Sequence, residues 1–423
     1  MLPRIHQLGP AERRTLALAC LCNFCLLASF YILRPVRDTM ATVLGTGRLQ
    51  ELFTATFIGT LIASPLYAAL TSRIRLRWLL PGACWFWLIN VLLFAALLRA
   101  APDNRWIGAA YYVWFSVVNL FMISIFWSLM VDVFSAPQAT RLFGWIAAGG
   151  ELGAIAGPLL TRMLATHVGL VGLLLVAAAG LGLVATLTSL LVRAKQRLAA
   201  ESAQAQDSTL DHELSGRPFD GFRELLASPY TRSQAWFILL MSWVSTVAYF
   251  FQTDLIARSF QALESRAQAI ADIDLVVNIL SALILIFGLG RLVQRFGVTA
   301  GLVLNPIIMV IAFLALALAP GLRMIQLLQV VRRVGQYAIA RPSREICFTV
   351  VEQSSRYKAK NVIDTVVYRF GDLSSAWLQT GVRAAGLGFH GAIALGVGAS
   401  LGWGAVAALL GRRYERIRKT LAR

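Results

Sequence analysis

The sequence predicts an all-α membrane protein with twelve transmembrane helices in two six-helix halves. Three observations carry this. Of 423 residues, 58% are hydrophobic and only 14% are charged, where a soluble domain carries roughly a quarter charged residues. Twelve apolar runs each approach the ~20 residues that a bilayer core demands of a helix. The longest polar stretch, 194–230, divides those runs six and six, so the halves are 1–193 and 231–423.

The runs lie near 16–36, 50–71, 78–99, 107–132, 141–163, 168–192, 232–257, 270–292, 298–319, 323–350, 361–383 and 388–411. Most contain Gly, Ala, Ser or Thr, as in Ala147-Ala148-Gly149-Gly150, and small residues let helices approach closely in lipid. A transmembrane barrel would alternate apolar and polar residues in strands of about ten; these runs are continuous.

Charge sets the orientation. Lysine and arginine number 39 against 21 acids, a net charge of +18. In a soluble protein that excess would suggest nucleic acid. Here about 24 of the 39 bases fall on one side of the spans, among them Arg13, Arg14, Arg73, Arg75, Arg77, Arg141, Arg291, Arg295 and the tail from Arg412, as the positive-inside rule describes. The expectation is a multi-pass cell (inner) membrane protein with both termini cytoplasmic. Residues 1–15 are polar and the first apolar run is long enough to span, so no cleaved signal is expected.

Cys20, Cys22, Cys25, Cys84 and Cys347 all fall inside predicted helices. Cys22-x-x-Cys25 has suggestive spacing but no His or second pair nearby, so apolar packing is expected rather than a metal or redox site. No cofactor is expected. His6, His167, His212 and His390 are too scattered for catalysis. No Gly-x-x-x-x-Gly-Lys-Ser/Thr phosphate loop occurs, which removes a self-contained ATP-driven pump of that type; an enzyme is not expected.

The halves echo one another. Ser72-Arg73-Ile74-Arg75-Leu76-Arg77 follows span two, and Gly290-Arg291-Leu292-Val293-Gln294-Arg295-Phe296-Gly297 follows span eight. Span four ends at Asp132 and span five opens at Arg141; span ten ends at Glu352 and span eleven opens near Lys360. Two six-helix halves with these loops resemble the major facilitator superfamily, whose basic loop motif is present in degenerate form; the first copy lacks its Gly and Asp. Gly144, Gly153 and Gly157-Pro158 in span five resemble the glycine-proline motif of that superfamily's antiporters, with Leu159 to Arg162 in place of its last glycines. Glycines four apart clear a groove for a neighbouring helix, and the Pro removes one hydrogen bond. An antiport role and plain helix packing both fit.

Seven arginines lie inside spans one, ten and eleven, where each charge costs about 2.5–3.5 kcal/mol at a helix centre. In span one, Arg34 and Asp38 are four apart and can pair on one face, Pro35 should break or kink the helix between them, and Arg37 is left without a local acid. Span ten carries Arg332-Arg333 and then Arg341-Pro342-Ser343-Arg344-Glu345, where Arg341–Glu345 repeats that spacing and Arg344 is the surplus base. Span eleven adds Asp364, Arg369 and Asp372. Buried arginines need internal acids or an anionic ligand, and Arg suits planar contact with carboxylate or phosphate. Surplus positive charge in both halves points to an anionic substrate at the midplane. Glu151 is a candidate counter-ion or protonatable coupling group. Asp254 and Arg258 form a further i, i+4 pair. Trp114, Trp127, Tyr111 and Tyr112 could stack on a ring or simply pack.

Tyr31 to Asp38, Phe126-Trp127 through Arg141-Leu142-Phe143, and Arg341 to Glu345 continuing into Tyr357-Lys358-Ala359-Lys360-Asn361 and Asp364 are similar to a narrower family. It comprises the nucleotide transporters, or ATP/ADP translocases, of plastids and obligate intracellular bacteria, and their free-living bacterial relatives. The resemblance implies that Arg37 and Arg344 handle nucleotide phosphate. The family's glutamates in spans four and seven are replaced here by Phe115 and Gln252, and a lysine in span eleven by Asp372. Those departures imply the same scaffold with an altered anion.

The expected function is secondary active transport of an organic anion, a nucleotide or other phosphorylated metabolite among the candidates, by alternating access and exchange, with Arg34, Arg37, Arg341 and Arg344 on the substrate. The alternatives are a proton-coupled exporter of a neutral or cationic compound using Glu151, and a non-transporting membrane scaffold or sensor. The expected partners are a small-molecule anionic substrate and the lipid bilayer, with no nucleic acid; a monomer is one reading of the oligomeric state.

Overall fold

A computed structural model describes residues 9–73, 76–102, 104–201, 223, 225–226, 228–351, 359–360 and 362–421. Every regular element among them is helical. The chain is an all-α membrane protein, and its helices follow the apolar runs closely. Span one is Pro10–Leu44, span two Leu49–Arg73, span three Leu76–Ala100 and span four Arg105–Val133. Asn104 caps span four by accepting from the Trp106 N–H at 3.0 Å.

Spans five and six lie within Ala136–Glu201 as two helices that meet at Gly169 (φ 67°, ψ 180°), a conformation only glycine adopts without strain. Span seven is Pro229–Ser259 and span eight Leu263–Phe287. Span eight begins seven residues before the apolar run because Leu263–Ala269 carries Glu264 and Arg266, which a scan for apolar residues passes over. Leu289–Leu318 breaks at Gly297 (φ 80°), and span nine proper follows it. Span twelve is Gly388–Leu421.

Spans ten and eleven depart from the expected continuous helices. Leu322–Val334 gives way to a π-helical turn, Gly335–Ala340, then to the short helix Arg341–Cys347 and a 3-10 turn, Phe348–Val350. Pro342 has no N–H and its ring crowds the carbonyl four residues back, so the preceding turn widens and Arg341 N–H bonds Gln336 instead. The Asn305 amide donates to the Arg332 carbonyl at 3.3 Å beside this turn. Span eleven opens with a second π-helical turn, Ile363–Val367, before Tyr368–Ala384. Pro35, by contrast, does not break span one, which runs through it as one helix.

The chain forms two compact units. The first comprises Met1–Leu44, Ile58–His212 and Phe260–Leu275; the second comprises Gly45–Phe57, Glu213–Ser259 and Val276–Arg423. Each unit therefore includes a short segment from the other half of the sequence. In the first unit, span one packs most extensively on the Ala136–Glu201 helices. Gly149, Gly153 and Gly157 line up against the Cys20, Phe24 and Ala28 carbonyls in steps of four on both helices; a Cβ at Gly157 would lie 2.6 Å from the Ala28 oxygen. In the second unit, span twelve lies against spans seven and nine, with Phe237 and Trp403 edge to face at 5.5 Å. Phe53 meets Tyr249 and Phe250 here, and Trp377 donates to Thr54 at 3.0 Å. Exposed Leu92, Leu93, Ile311 and Leu318 suit an apolar solvent.

Candidate functional site

Span one brings Arg34 and Arg37 to the interior of the first unit, one turn apart. The Arg37 Nε and Nη2 donate to Asp38 Oδ1 at 2.9 and 2.5 Å, and Nη1 reaches Ser116 Oγ at 3.4 Å. Its guanidinium lies 5.0 Å from the Tyr112 ring centroid and 5.8 Å from that of Phe115, within the range of cation–π attraction. Tyr111 is fully buried and donates to the Leu33 carbonyl at 3.0 Å, fixing span four against span one. Arg37, expected to lack an acid, is thus paired. Adjacent residues on a helix do not ordinarily face each other; here span four steers the long guanidinium back onto Asp38.

Arg34 meets an acid the sequence reading passed over. Its Nε lies 3.9 Å from Oδ2 of Asp274 in span eight, whose side chain is wholly buried. Asp272 pairs with Arg162 at 3.3 Å, and Arg266 donates to Thr42 at 3.0 Å. All these contacts lie within the first unit. The signal was available: two aspartates inside the apolar run Ile270–Val277 are as anomalous as arginines in span one.

In the second unit, two glutamines and a serine hold the Arg332 guanidinium of span ten. Gln329 donates its amide to the Ala248 carbonyl at 3.0 Å, which turns its oxygen toward Arg332. Arg332 gives that oxygen Nε and Nη2 at 3.0 and 2.8 Å, and its Nη1 reaches Ser245 Oγ at 2.8 Å and Gln336 Oε1 at 3.0 Å. The guanidiniums of Arg333 and Arg341 lie 5.9 and 5.7 Å from the Tyr337 ring centroid. Arg341 is exposed, and no ion pair joins it to Glu345 among the described residues.

Arg344 was expected to be the surplus base of span ten; the structure corrects this. It is 3% exposed and donates to Asp364 at 2.6 Å and Glu345 at 3.2 Å. Lys360 closes the group with Glu345 at 2.5 Å, and both cations lie over Phe348, at 5.6 and 5.8 Å. In span eleven, Asp372 accepts from Ser242 at 2.6 Å and Thr246 at 3.1 Å, with Arg369 at 3.5 Å.

The remaining expected residues scatter. Glu151 is exposed and makes no ion pair among the described residues, so it is not a counter-ion there. Asp254 and Arg258 do pair, at 2.9 Å. Arg141 pairs with Glu12 at 3.2 Å; Arg291 and Arg295 are exposed. Gly153, Gly157 and Pro158 belong to the packing ridge on span one. Trp127 packs on Phe126 and Phe143, and Trp114 on Phe94 and Tyr111. Glu352 and the side chains of Arg73 and Arg77 lie outside the described residues.

Eight helices among the described residues are long and apolar enough to cross a bilayer, which marks a multi-pass membrane protein. The chain belongs to the Major Facilitator Superfamily, whose family model matches residues 19–340. By sequence, no curated protein matches it. Solved structures agree on the fold. A bacterial homologue of the human lysosomal transporter Spinster, inward-facing and unoccupied, has TM-score 0.58 at 15% identity, covering 97% of this chain and 99% of that one. A bacterial homologue of the iron transporter ferroportin, inward-facing, has TM-score 0.66 at 13% identity, covering 93% and 99%. The nucleoside transporter NupG has TM-score 0.57 at 13% identity, covering 97% and 100%.

Proposed function

We propose that this transporter carries an organic anion, of the nucleotide or phosphorylated-metabolite class, by alternating access and exchange. One observation carries the reading: spans one, ten and eleven carry Arg34, Arg37, Arg332, Arg333, Arg341, Arg344 and Arg369 within apolar stretches. Charged residues inside membrane spans are costly and commonly serve a transported ligand, and a cargo with anionic groups is the ligand that guanidiniums suit. Guanidiniums match phosphate oxygens in bidentate contact, which favours phosphate, as does the resemblance of Tyr31–Asp38 and Arg341–Glu345 to the ATP/ADP translocases. Arg34, Arg37, Arg341 and Arg332 are the proposed cargo ligands. Arg344 is assigned instead to fastening the end of span ten, because Asp364 and Glu345 already hold it. Exchange suits an arginine-rich site, since a counter-anion can take the cargo's place on the guanidiniums for the return.

The same proposal has the protein in the cell (inner) membrane with both termini cytoplasmic, the side its basic loops favour. The test is uptake of labelled ATP, glucose 6-phosphate and succinate into proteoliposomes, with and without the same compound inside. Uptake of at least one, stimulated by internal counter-substrate and lost in Arg37→Ala and Arg332→Ala, is expected. No uptake of any of the three overturns the anion reading.

A further inference from the structure

We propose that the basic end of span twelve, with the start of span seven, is a site for the phosphate headgroup of an anionic phospholipid, which steadies the two spans at the membrane surface. The residues lie on the outside of the second unit, apart from the proposed cargo arginines. The site therefore stands whether or not the cargo is an anion.

Span twelve presents one continuous outward stripe. Leu401, Ala405 and Leu409 are exposed at intervals of four along Gly388–Leu421, with Leu401 and Leu409 at 59% and 51%. Trp403, two residues from Leu401, is buried against Phe237 of span seven. In a membrane protein an exposed apolar stripe opposite a packed face meets acyl chains. Arg412, Arg416 and Lys419 continue the same stripe in steps of three and four, and all three are exposed. Three residues of helix advance about 4.5 Å, so the bases begin directly where the apolar surface ends. That is the depth of lipid headgroups.

The next residue faces the other way. Arg413 donates to the Pro229 carbonyl at 2.6 Å and to Ser233 Oγ, and Tyr414 is buried in the core of the second unit. The end of span twelve is thereby held against the start of span seven. On span seven, Arg232 beside Ser233 and Trp236 one turn further on are both exposed. An exposed Trp at the end of a span suits the same interfacial depth. Two adjoining helices thus carry bases next to exposed apolar side chains at one end.

Charge selects the kind of lipid. Between Leu401 and Thr420 the sequence sets Arg412, Arg413, Arg416, Arg418 and Lys419 against Glu415 alone. Glu415 pairs with Arg418 at 3.1 Å, and Pro229–Trp243 contains no acid. Juxtamembrane bases are drawn to anionic leaflets, and guanidiniums take phosphate oxygens in charge-assisted hydrogen bonds. An anionic phospholipid answers both parts of the stripe, its headgroup on Arg412 and Arg416 and its acyl chains along Leu401–Leu409. A soluble phosphate answers only the first.

The test follows thermal unfolding of the purified full-length protein in detergent micelles. Dioleoyl phosphatidylglycerol, dioleoyl phosphatidylcholine or soluble glycerol 3-phosphate is added at equal concentration. A ligand of the folded state raises its midpoint, so phosphatidylglycerol should raise it and the other two should leave it nearly unchanged. Each variant's rise is measured from its own lipid-free midpoint. Arg412→Gln combined with Arg416→Gln should lose more than half of the rise, and Arg412→Lys combined with Arg416→Lys should keep most of it. Arg291→Gln combined with Arg295→Gln removes two exposed bases elsewhere in the second unit and should keep the rise in full. An equal loss in that control would reduce the effect to diffuse positive charge and overturn the site. No rise with phosphatidylglycerol, or a full rise in the Arg412→Gln, Arg416→Gln variant, overturns it as well. An equal rise with phosphatidylcholine would mark apolar contact alone, and one with glycerol 3-phosphate a site for soluble phosphate; either result also ends the proposal.

Discussion

The Arg344 guanidinium donates to the Asp364 carboxylate at 2.6 Å, twenty residues further along the chain. Glu345 and Lys360 complete the group, so four charges join the end of span ten to the start of span eleven. A base held this closely has its charge answered by the protein. Its loss is expected to weaken the fold rather than the affinity for cargo. Asp364 and Glu345 are about a third to a half exposed and regain water when Arg344 is removed. The cost of Arg344→Ala should therefore fall between that of a surface pair and a buried one, about 1–3 kcal/mol. Arg344→Lys should recover part of it, because a point charge cannot reach both carboxylates in the fork geometry. Thermal unfolding reads the first effect. An anion-induced shift that survives in Arg344→Ala separates this role from cargo contact; its disappearance at unchanged stability would restore Arg344 to the binding set.

Span five meets span one through glycine. At Gly153 and Gly157 an added Cβ would strike the carbonyl oxygens of Phe24 and Ala28, and backbone cannot yield as a side chain can. Gly153→Ala and Gly157→Ala are each expected to destabilise by about 1–3 kcal/mol through overpacking. Gly47, with nothing within 4 Å of its Cβ position, provides the control: Gly47→Ala should leave the melting temperature nearly unchanged. Equal effects at all three positions would remove the ridge argument.

What the sequence made legible follows from which forces act locally. Span positions were readable because bilayer thickness imposes one length on every apolar run. The stagger of Gly149, Gly153 and Gly157 was readable in part, since helical spacing puts them on one face whatever they touch. Charge pairing was not readable. Spacing along one helix suggested Arg34 with Asp38 and Arg341 with Glu345, yet Asp274 lies 240 residues from Arg34 in sequence, and Lys360 reaches Glu345 from span eleven. Which acid meets which base depends on how the spans pack, and no periodicity within a span encodes that. The interruption of span ten was half visible: Pro342 announces a break, but the π-helical turn over Gly335–Ala340 also depends on neighbours such as Asn305.

Asp372 and Arg369 should behave as a unit. Both are largely buried, 3.5 Å apart, and Ser242 and Thr246 donate to the aspartate. Asp372→Ala takes a carboxylate from Arg369 and an acceptor from Thr246, while Ser242 keeps the Tyr368 carbonyl at 3.1 Å, and it is expected to cost about 3 kcal/mol. The double change Asp372→Leu with Arg369→Met removes both charges at similar volume, and such replacements are often neutral or stabilising. A double variant that unfolds well above the single one, in the same detergent, is the expected result. Additive losses would mean that each charge serves a different partner.

Arg332 offers the sharpest separation of charge from geometry. Gln329, anchored by Ala248, and Gln336 and Ser245 grip its guanidinium through three nitrogens. None of those acceptors carries a formal charge, so the grip serves to orient the Arg332 guanidinium. Arg332→Lys keeps the charge and discards the planar fork. Uptake of the transported anion should fall about tenfold or more, mostly through a higher KM, because a lysine ammonium cannot make the bidentate contact a phosphate accepts. Gln329→Leu keeps the arginine but removes the carbonyl that fixes it, and should give a smaller rise in KM. A Gln329→Leu variant as impaired as Arg332→Lys would show orientation to be the whole contribution. Wild-type KM in Arg332→Lys would show that the site needs charge alone, and that its arginines are not chosen for phosphate geometry.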